Sequence, residues 1–303
     1  MSIMAKMSDK TMGLTGSDLE RVTLEGEALD AYRDFWERSA RVDSIRAISD
    51  QDDEESFEVS GRRDADALAA LLPEGGAALE IGCGTGRVMQ HFAASCRRLD
   101  GIDISQGMVD QGRKRLAQLP NVTFELGNGY DLAPFEDESF DLVYSLFAFQ
   151  HMRKTTAFNY FLESARVLRP EGMLRFQVPN ILRDEHFWAF HHFTQPWFVE
   201  HPYPMHYYTP SEVVALLGRA GFRVLDLDDG MTVVARKTAD VTPDQTVRER
   251  VASFEHPWLV QALAERTRDL EEATAELRAM RLRKAVRVAN ALRHPIDRFR
   301  AQR

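Results

Sequence analysis

Three glycines at alternate positions, Gly82, Gly84 and Gly86, follow a short apolar run that carries one acid, Ala78-Leu79-Glu80-Ile81. A second acid, Asp103, ends another apolar run, Asp100-Gly101-Ile102-Asp103-Ile104-Ser105, about 20 residues further on. The first pattern reads as a strand, a tight turn and a helix start. Glycine lets backbone approach a ligand where a Cβ would block it, and the helix that follows offers N–H groups toward that ligand. An acid at the end of the second strand can accept hydrogen bonds from both hydroxyls of a ribose. Asp103 can instead cap the helix expected over 106–119, and Asp100 competes for the ribose from earlier in the strand. The chemistry indicated is the binding of a nucleoside-bearing cofactor.

The spacing narrows the cofactor. A dinucleotide turn, G-x-G-x-x-G, would place its last glycine at position 87, which is Arg87, and no Gly-Lys-Ser/Thr ending marks a P-loop. With Glu80 before it, the turn Gly82-Cys83-Gly84-Thr85-Gly86 resembles motif I of the class I S-adenosylmethionine (SAM) dependent methyltransferases. Asp103-Ile104-Ser105-Gln106-Gly107-Met108 is similar to that family's D-x-S-x-x-M, where the methionine packs on the adenine. Gly127-Asn128-Gly129 stands where the family commonly has Gly-Asp-Ala; an amide oxygen on Asn128 can still accept from the adenine amino group, although Asn-Gly also simply makes a turn. The resemblance implies SAM as cofactor and S-adenosylhomocysteine as product. It implies a cofactor set of Glu80, Gly82, Cys83, Gly84, Gly86, Asp103, Ile104, Met108, Asn128, Gly129, Ser145, Leu146 and Gln150.

SAM carries an activated methyl group, so the protein has chiefly to align a nucleophile and exclude water. A hydroxyl acceptor also needs a base. In the resembling family the loop after the fourth strand, here Leu146-Phe147-Ala148-Phe149-Gln150-His151-Met152, faces the methyl. His151 is therefore the first base candidate, unless it serves a structural hydrogen bond. His191 and His192, in an aromatic- and proline-rich stretch over 179–209, are the others. That stretch reads as a lid over the acceptor, with a packed dimer surface as the alternative. The loop lacks the Asn/Asp-Pro-Pro-Tyr/Phe pattern of amino-methylating enzymes, and Ser145 stands where metal-dependent relatives have Asp, so no metal is expected.

The elements that must position these residues alternate strand and helix with short connections, which predicts a doubly wound, Rossmann-like α/β fold. The resemblance extends it to a seven-stranded mixed sheet, with an antiparallel pair around Asp229-Gly230. A loose terminus is expected over 1–24 and an N-terminal helical cap over 25–73, where Leu29, Tyr32, Trp36, Ala40 and Ile45 recur at helical spacing. The SAM-binding domain follows over 74–237, then a helical tail over 238–303. The acids at 50–55 read as a solvated loop, and a short helix over 64–72 is stopped by Pro73.

At 303 residues and 44% hydrophobic, the chain can bury a full core. Its net charge of −9 argues against a general nucleic-acid binder. Cys83 and Cys96 make neither a disulfide framework nor a metal site, and no apolar run indicates a signal peptide or membrane span. A cytoplasmic protein is expected. The tail is basic, with nine Lys/Arg against one Asp from residue 278 to 303; it suits homo-oligomer packing or peripheral membrane contact. The expectation is O-methylation of a small-molecule or saccharide acceptor, in a type 11-like subgroup of the family that modifies small molecules and glycans. N-methylation of a small metabolite, a non-catalytic SAM-binding regulator and an NAD enzyme are the alternatives, the last disfavoured by Arg87.

Overall fold

The computed structural model describes residues 27–42, 54–192 and 205–251, with isolated positions 268, 272, 274 and 275. The expected loose terminus, residues 43–53 of the expected cap with Ile45, part of the lid stretch and most of the tail lie outside the described residues. Met1–Arg250 forms one compact unit and Val251–Arg303 a second.

Seven strands form one sheet: β1 (Ala77–Ile81), β2 (Arg98–Asp103), β3 (Val122–Leu126), β4 (Phe140–Ser145), β5 (Leu168–Gln177), β6 (Phe222–Leu227) and β7 (Thr232–Lys237). Their order is β3-β2-β1-β4-β5-β7-β6, with β7 antiparallel to both neighbours. The mixed seven-stranded sheet matches the expected fold. Every residue of β1 is buried, as a central strand covered on both faces requires. From β1 the chain winds outward to β3 and then returns to place β4 on the other side of β1. The direction of winding therefore reverses between β1 and β4, and in open α/β sheets ligands bind outside the strand ends at such a reversal.

Helices α1 (Glu27–Val42), α2 (Glu54–Ala69), α3 (Met89–Phe92), α4 (Gln106–Arg115), α5 (Lys154–Val167), α6 (Asp184–His192) and α7 (Pro210–Arg219) complete the described elements. Three differ from expectation. The helix expected over 64–72 begins at Glu54; its first two residues, Glu54 and Glu55, belong to it and not to a loop, and acids in a first turn suit the helix dipole. The helix after the glycine turn is only four residues, continued by a 3-10 turn over Ala93–Ser95. The apolar run from Met173 to Val178 suggests a fifth strand, but β5 starts five residues before it, at Leu168. Its pairing with β4 shifts register between Phe140 and Leu142, so Pro170, which has no N–H to give a ladder, is carried in a bulge. Residues 245–250, at the start of the expected tail, are also helical, with Val247 buried and Arg250 paired to Asp226.

The glycine turn is required by the protein itself. Gly82 has φ +72°, and a Cβ there would stand 2.3 Å from the Ala148 Cβ. At Gly86, φ +82°, a Cβ would meet Leu116 and Phe124 at 2.9 Å. A Gly82→Ala substitution therefore meets both left-handed backbone strain and a collision, whereas Gly75→Ala, at φ +67° with nothing within 4 Å, meets strain alone. Strain of this kind costs about 1–3 kcal/mol. Urea unfolding should show Gly82→Ala losing clearly more stability than Gly75→Ala; equal losses would mean that the Ala148 contact yields freely.

Candidate functional site

A cavity of about 550 Å³ opens where the winding reverses, a size suited to a small-molecule site. Its floor is built from strand ends. Ile81 and Gly82 end β1, Ile102, Asp103 and Ile104 end β2, Gly127 and Gly129 follow β3, and Leu146 to Ala148 follow β4. Met108 enters from the first turn of α4, while Gln150, His151 and Met152 come from the 3-10 turn after β4.

Asp103 organises this floor. Its Oδ2 accepts the Gly84 N–H at 2.8 Å and its Oδ1 accepts the Ser105 N–H at 2.9 Å. Burial raises its pKa above the ordinary carboxylate value, and the N–H donors of Ser105 and Gly84 oppose that rise. Each oxygen keeps lone-pair capacity for a further donor. The helix-capping role belongs to Ser105, whose Oγ accepts the Met108 N–H, so the alternative reading of Asp103 as cap does not describe it. Asp100 lies elsewhere, against Thr123 and Arg98.

Other expected cofactor residues are placed differently. Gly82, Asp103, Ile104, Met108, Gly129, Leu146 and Gln150 border the cavity; Glu80, Cys83, Gly84, Gly86, Asn128 and Ser145 do not. The N–H groups of Gly82, Cys83, Gly84 and Gly86 all donate within the protein, so the turn does not hold them ready for a ligand. Cys83 packs into the core beside Met89 and Gly101, and burial raises its thiol pKa. The Ser145 hydroxyl donates to the Ile81 carbonyl at 2.9 Å. The Asn128 Oδ1 accepts from the N–H groups of Tyr130 and Asp131, as a turn-forming asparagine does, which occupies the oxygen assigned to adenine.

Glu80 lies beneath the turn in a buried charge cluster. The Arg87 guanidinium pairs with Asp64 at 2.8 Å and bonds Ser60 Oγ at 3.0 Å, and the Tyr144 hydroxyl donates to Glu80 Oε2 at 3.0 Å. Burial pushes the Glu80 pKa up to about 8, despite the opposing charge of Arg87 and the bond from Tyr144. One buried cation thus faces two carboxylates, and Glu80 keeps its proton at neutral pH. The same Arg87 lies 5.6 Å from the centroid of Phe147, which lines the cavity with a left-handed φ of +64°.

The three candidate bases separate. His151 borders the cavity, with its Nε2 3.2 Å from Gln150 Nε2. His191 is exposed on α6 and does not border it. His192 ends α6, and its side chain lies outside the described residues. His186, one turn earlier, does border the cavity. Sequence reasoning placed it in the lid without marking it, because three histidines on one short helix differ only in the face each occupies.

The N-terminal helix supplies a roof whose residues were not among the candidate site residues: Tyr32, Phe35, Trp36 and Ser39 of α1 line the cavity. Glu37 accepts from Ser105 Oγ at 2.7 Å and from the Gly107 N–H at 2.9 Å, which fixes α1 against the start of α4. The Trp36 ring meets His151 edge-on at 5.2 Å. Helix α1 thus spans the opening from the β2 side to the β4 side. Among the described residues no cluster of His, Cys, Asp or Glu could hold a metal, and no helix is long and apolar enough to cross a membrane.

Residues 78–172 match a family model described as a methyltransferase domain. The chain is 38% identical over 96 residues to a demethylmenaquinone methyltransferase of Tropheryma whipplei, an alignment covering 32% of this chain and only 38% of that protein. It is 31% identical over 194 residues to O-methyltransferase resE of Aspergillus sclerotiorum, covering 59% of this chain and 68% of that one. In fold it resembles phosphoethanolamine N-methyltransferase 1 of Haemonchus contortus, solved with phosphoethanolamine and S-adenosylhomocysteine. The TM-score is 0.52 at 17% identity, over 77% of this chain and 54% of that one.

The buried cluster yields a prediction about pH. The Glu80 pKa is raised from 4.5 to about 8, so the folded protein binds more protons than the unfolded chain between those values. The contribution to stability is full below pH 4.5 and is lost as pH rises through about 8. Thermal unfolding from pH 5 to 8.5 should show wild type losing more stability than Glu80→Gln, which has no proton to lose. Parallel pH profiles for the two proteins would contradict this assignment.

Proposed function

This chain belongs to the class I SAM-dependent methyltransferases, whose cofactor is SAM, and we propose that it transfers the methyl group to a hydroxyl of a small molecule. The observation that carries the reading is the shared cavity, which brings Asp103 at the end of β2 and His151 beyond the end of β4 to one space. The residues present fit the cofactor. Asp103 is a buried acceptor with capacity left on both oxygens for ribose hydroxyls. Ile104 and Met108 supply apolar surface for a base beside it. Bound there, SAM supplies a methyl group already activated by its sulfonium.

The protein's own work is then to hold the acceptor in line, exclude water and receive a proton. Trp36, Phe35 and Tyr32 close the cavity from above, and Tyr160 and Met152 add apolar wall. His151 is assigned the proton from the acceptor hydroxyl. The Gln150 amide N–H donates to the Nε2 lone pair of the neutral ring at 3.2 Å, so Nε2 is the basic nitrogen and receives the proton when the acceptor hydroxyl takes the place of that amide. Methylation at oxygen finds support in the relative named an O-methyltransferase. The saccharide acceptor, the homo-oligomer and membrane contact by the tail stay proposals of lower rank.

The test is incubation with methyl-labelled SAM and a panel of hydroxylated small molecules. Label should appear as a methyl ether. His151→Ala should lower kcat by about 10²–10⁴-fold while leaving affinity for S-adenosylhomocysteine within a factor of about two. Label found on nitrogen, or unchanged turnover in the variant, would overturn the hydroxyl assignment or the role of His151 respectively.

A further inference from the structure

Beyond Asp103 and Met108, the cavity continues to a second end, bordered by Gln177, Val178, Pro179, His186, Met205 and Gly230. Gln177 is the last residue of β5. Its Nε2 faces Thr232 Oγ1 at 3.4 Å, and its Oε1 is buried without a hydrogen-bond partner. A buried acceptor left unsatisfied is costly, and native proteins keep few of them. Gln177 borders the cavity, so a ligand's donor can satisfy this oxygen once the amide turns toward it.

His186 complements it. The Asn180 N–H and the Asn180 carbonyl both lie within reach of His186 Nδ1, at 3.0 and 3.1 Å, so Nδ1 is engaged in either tautomer and Nε2 is left to donate or to accept. The wall therefore offers the Gln177 acceptor and an imidazole nitrogen that donates or accepts, and a hydroxyl group, itself donor and acceptor, can satisfy both. Among the described residues bordering the cavity there is no Lys or Arg. Arg175, two residues before Gln177, does not border the cavity. An anionic acceptor would lose its water there without gaining a countercharge. The remaining walls, Val178, Pro179, Met205, Met152 and Tyr160, are broad and apolar with few polar groups, which suits a flat ring better than a sugar bearing many hydroxyls.

We infer that this end of the cavity is an acceptor subsite for an uncharged hydroxylated aromatic compound, with Gln177 as the residue that selects the hydroxyl. The inference rests on the cofactor reading above. It names a positioning role for Gln177, distinct from receipt of the proton by His151.

The test uses two matched probes, 2-naphthol and 6-hydroxy-2-naphthoate, titrated calorimetrically into the protein saturated with S-adenosylhomocysteine at neutral pH. The naphthol should bind at least about tenfold more tightly than the carboxylate, a difference of about 1.4 kcal/mol. Gln177→Leu should weaken naphthol by about fivefold or more, with affinity for S-adenosylhomocysteine unchanged. Gln177→Glu keeps an acceptor at that position and should retain naphthol binding while rejecting the carboxylate more strongly. This conservative variant also guards against a Leu variant that fails to fold. Equal or tighter binding of the carboxylate, no binding of either probe, or indifference of naphthol to Gln177→Leu would overturn the subsite. Failure of S-adenosylhomocysteine itself to bind is a separate result, and it would overturn the cofactor reading instead.

Discussion

The carboxylate of Asp103 is the constraint on which the site depends. It receives the Gly84 N–H from the turn after β1 and the Ser105 N–H from the turn after β2, and so fixes two loops to each other at the reversal of the sheet. Burial alone would favour its neutral form, and two charge-assisted N–H bonds oppose that. The glycine turn is held from its other side by contact of Gly82 with Ala148. Loops after β1, β2 and β4 thus form one rigid floor. Preorganisation of this kind lets a cofactor bind without first ordering the chain.

A second layer follows from the first. Ser105, beside Asp103, gives its hydroxyl hydrogen to Glu37, and Glu37 also receives the Gly107 N–H at the start of α4. A carboxylate at a helix N-terminus is favoured by the dipole as well as by the bonds, and these bonds hold its pKa below the usual range. The small residue at 107 allows this approach, since a Cβ there would lie 3.0 Å from Glu37 Oε1. Position and covering of the cavity are therefore coupled: the turn that holds Asp103 also holds the helix that brings Trp36 over His151.

Much of the sheet could be read from the sequence because buried parallel strands are short apolar runs with breakers between them, and the ends of β2 and β4 could be found by counting from the glycines. The reason for the glycines could not. It lies in Ala148, Leu116 and Phe124, residues remote in the chain that only the fold brings against positions 82 and 86. The roof was hidden because Tyr32 and Trp36 at helical spacing look the same whether they meet a sheet or a cavity. Asn128 matched a motif position, but its oxygen is used by the turn it makes. Gln177 belongs to no motif, and its significance rests on a missing hydrogen bond that is visible only in three dimensions.

Calorimetric titration of the folded protein with S-adenosylhomocysteine, repeated with Asp103→Ala, tests the central claim most directly. Wild type should bind in the micromolar range, and the variant should lose about tenfold or more in affinity, the loss expected when a charge-assisted acceptor is removed. Absence of binding by the folded wild type, or undiminished affinity in the variant, would contradict the claim that this carboxylate organises a SAM site.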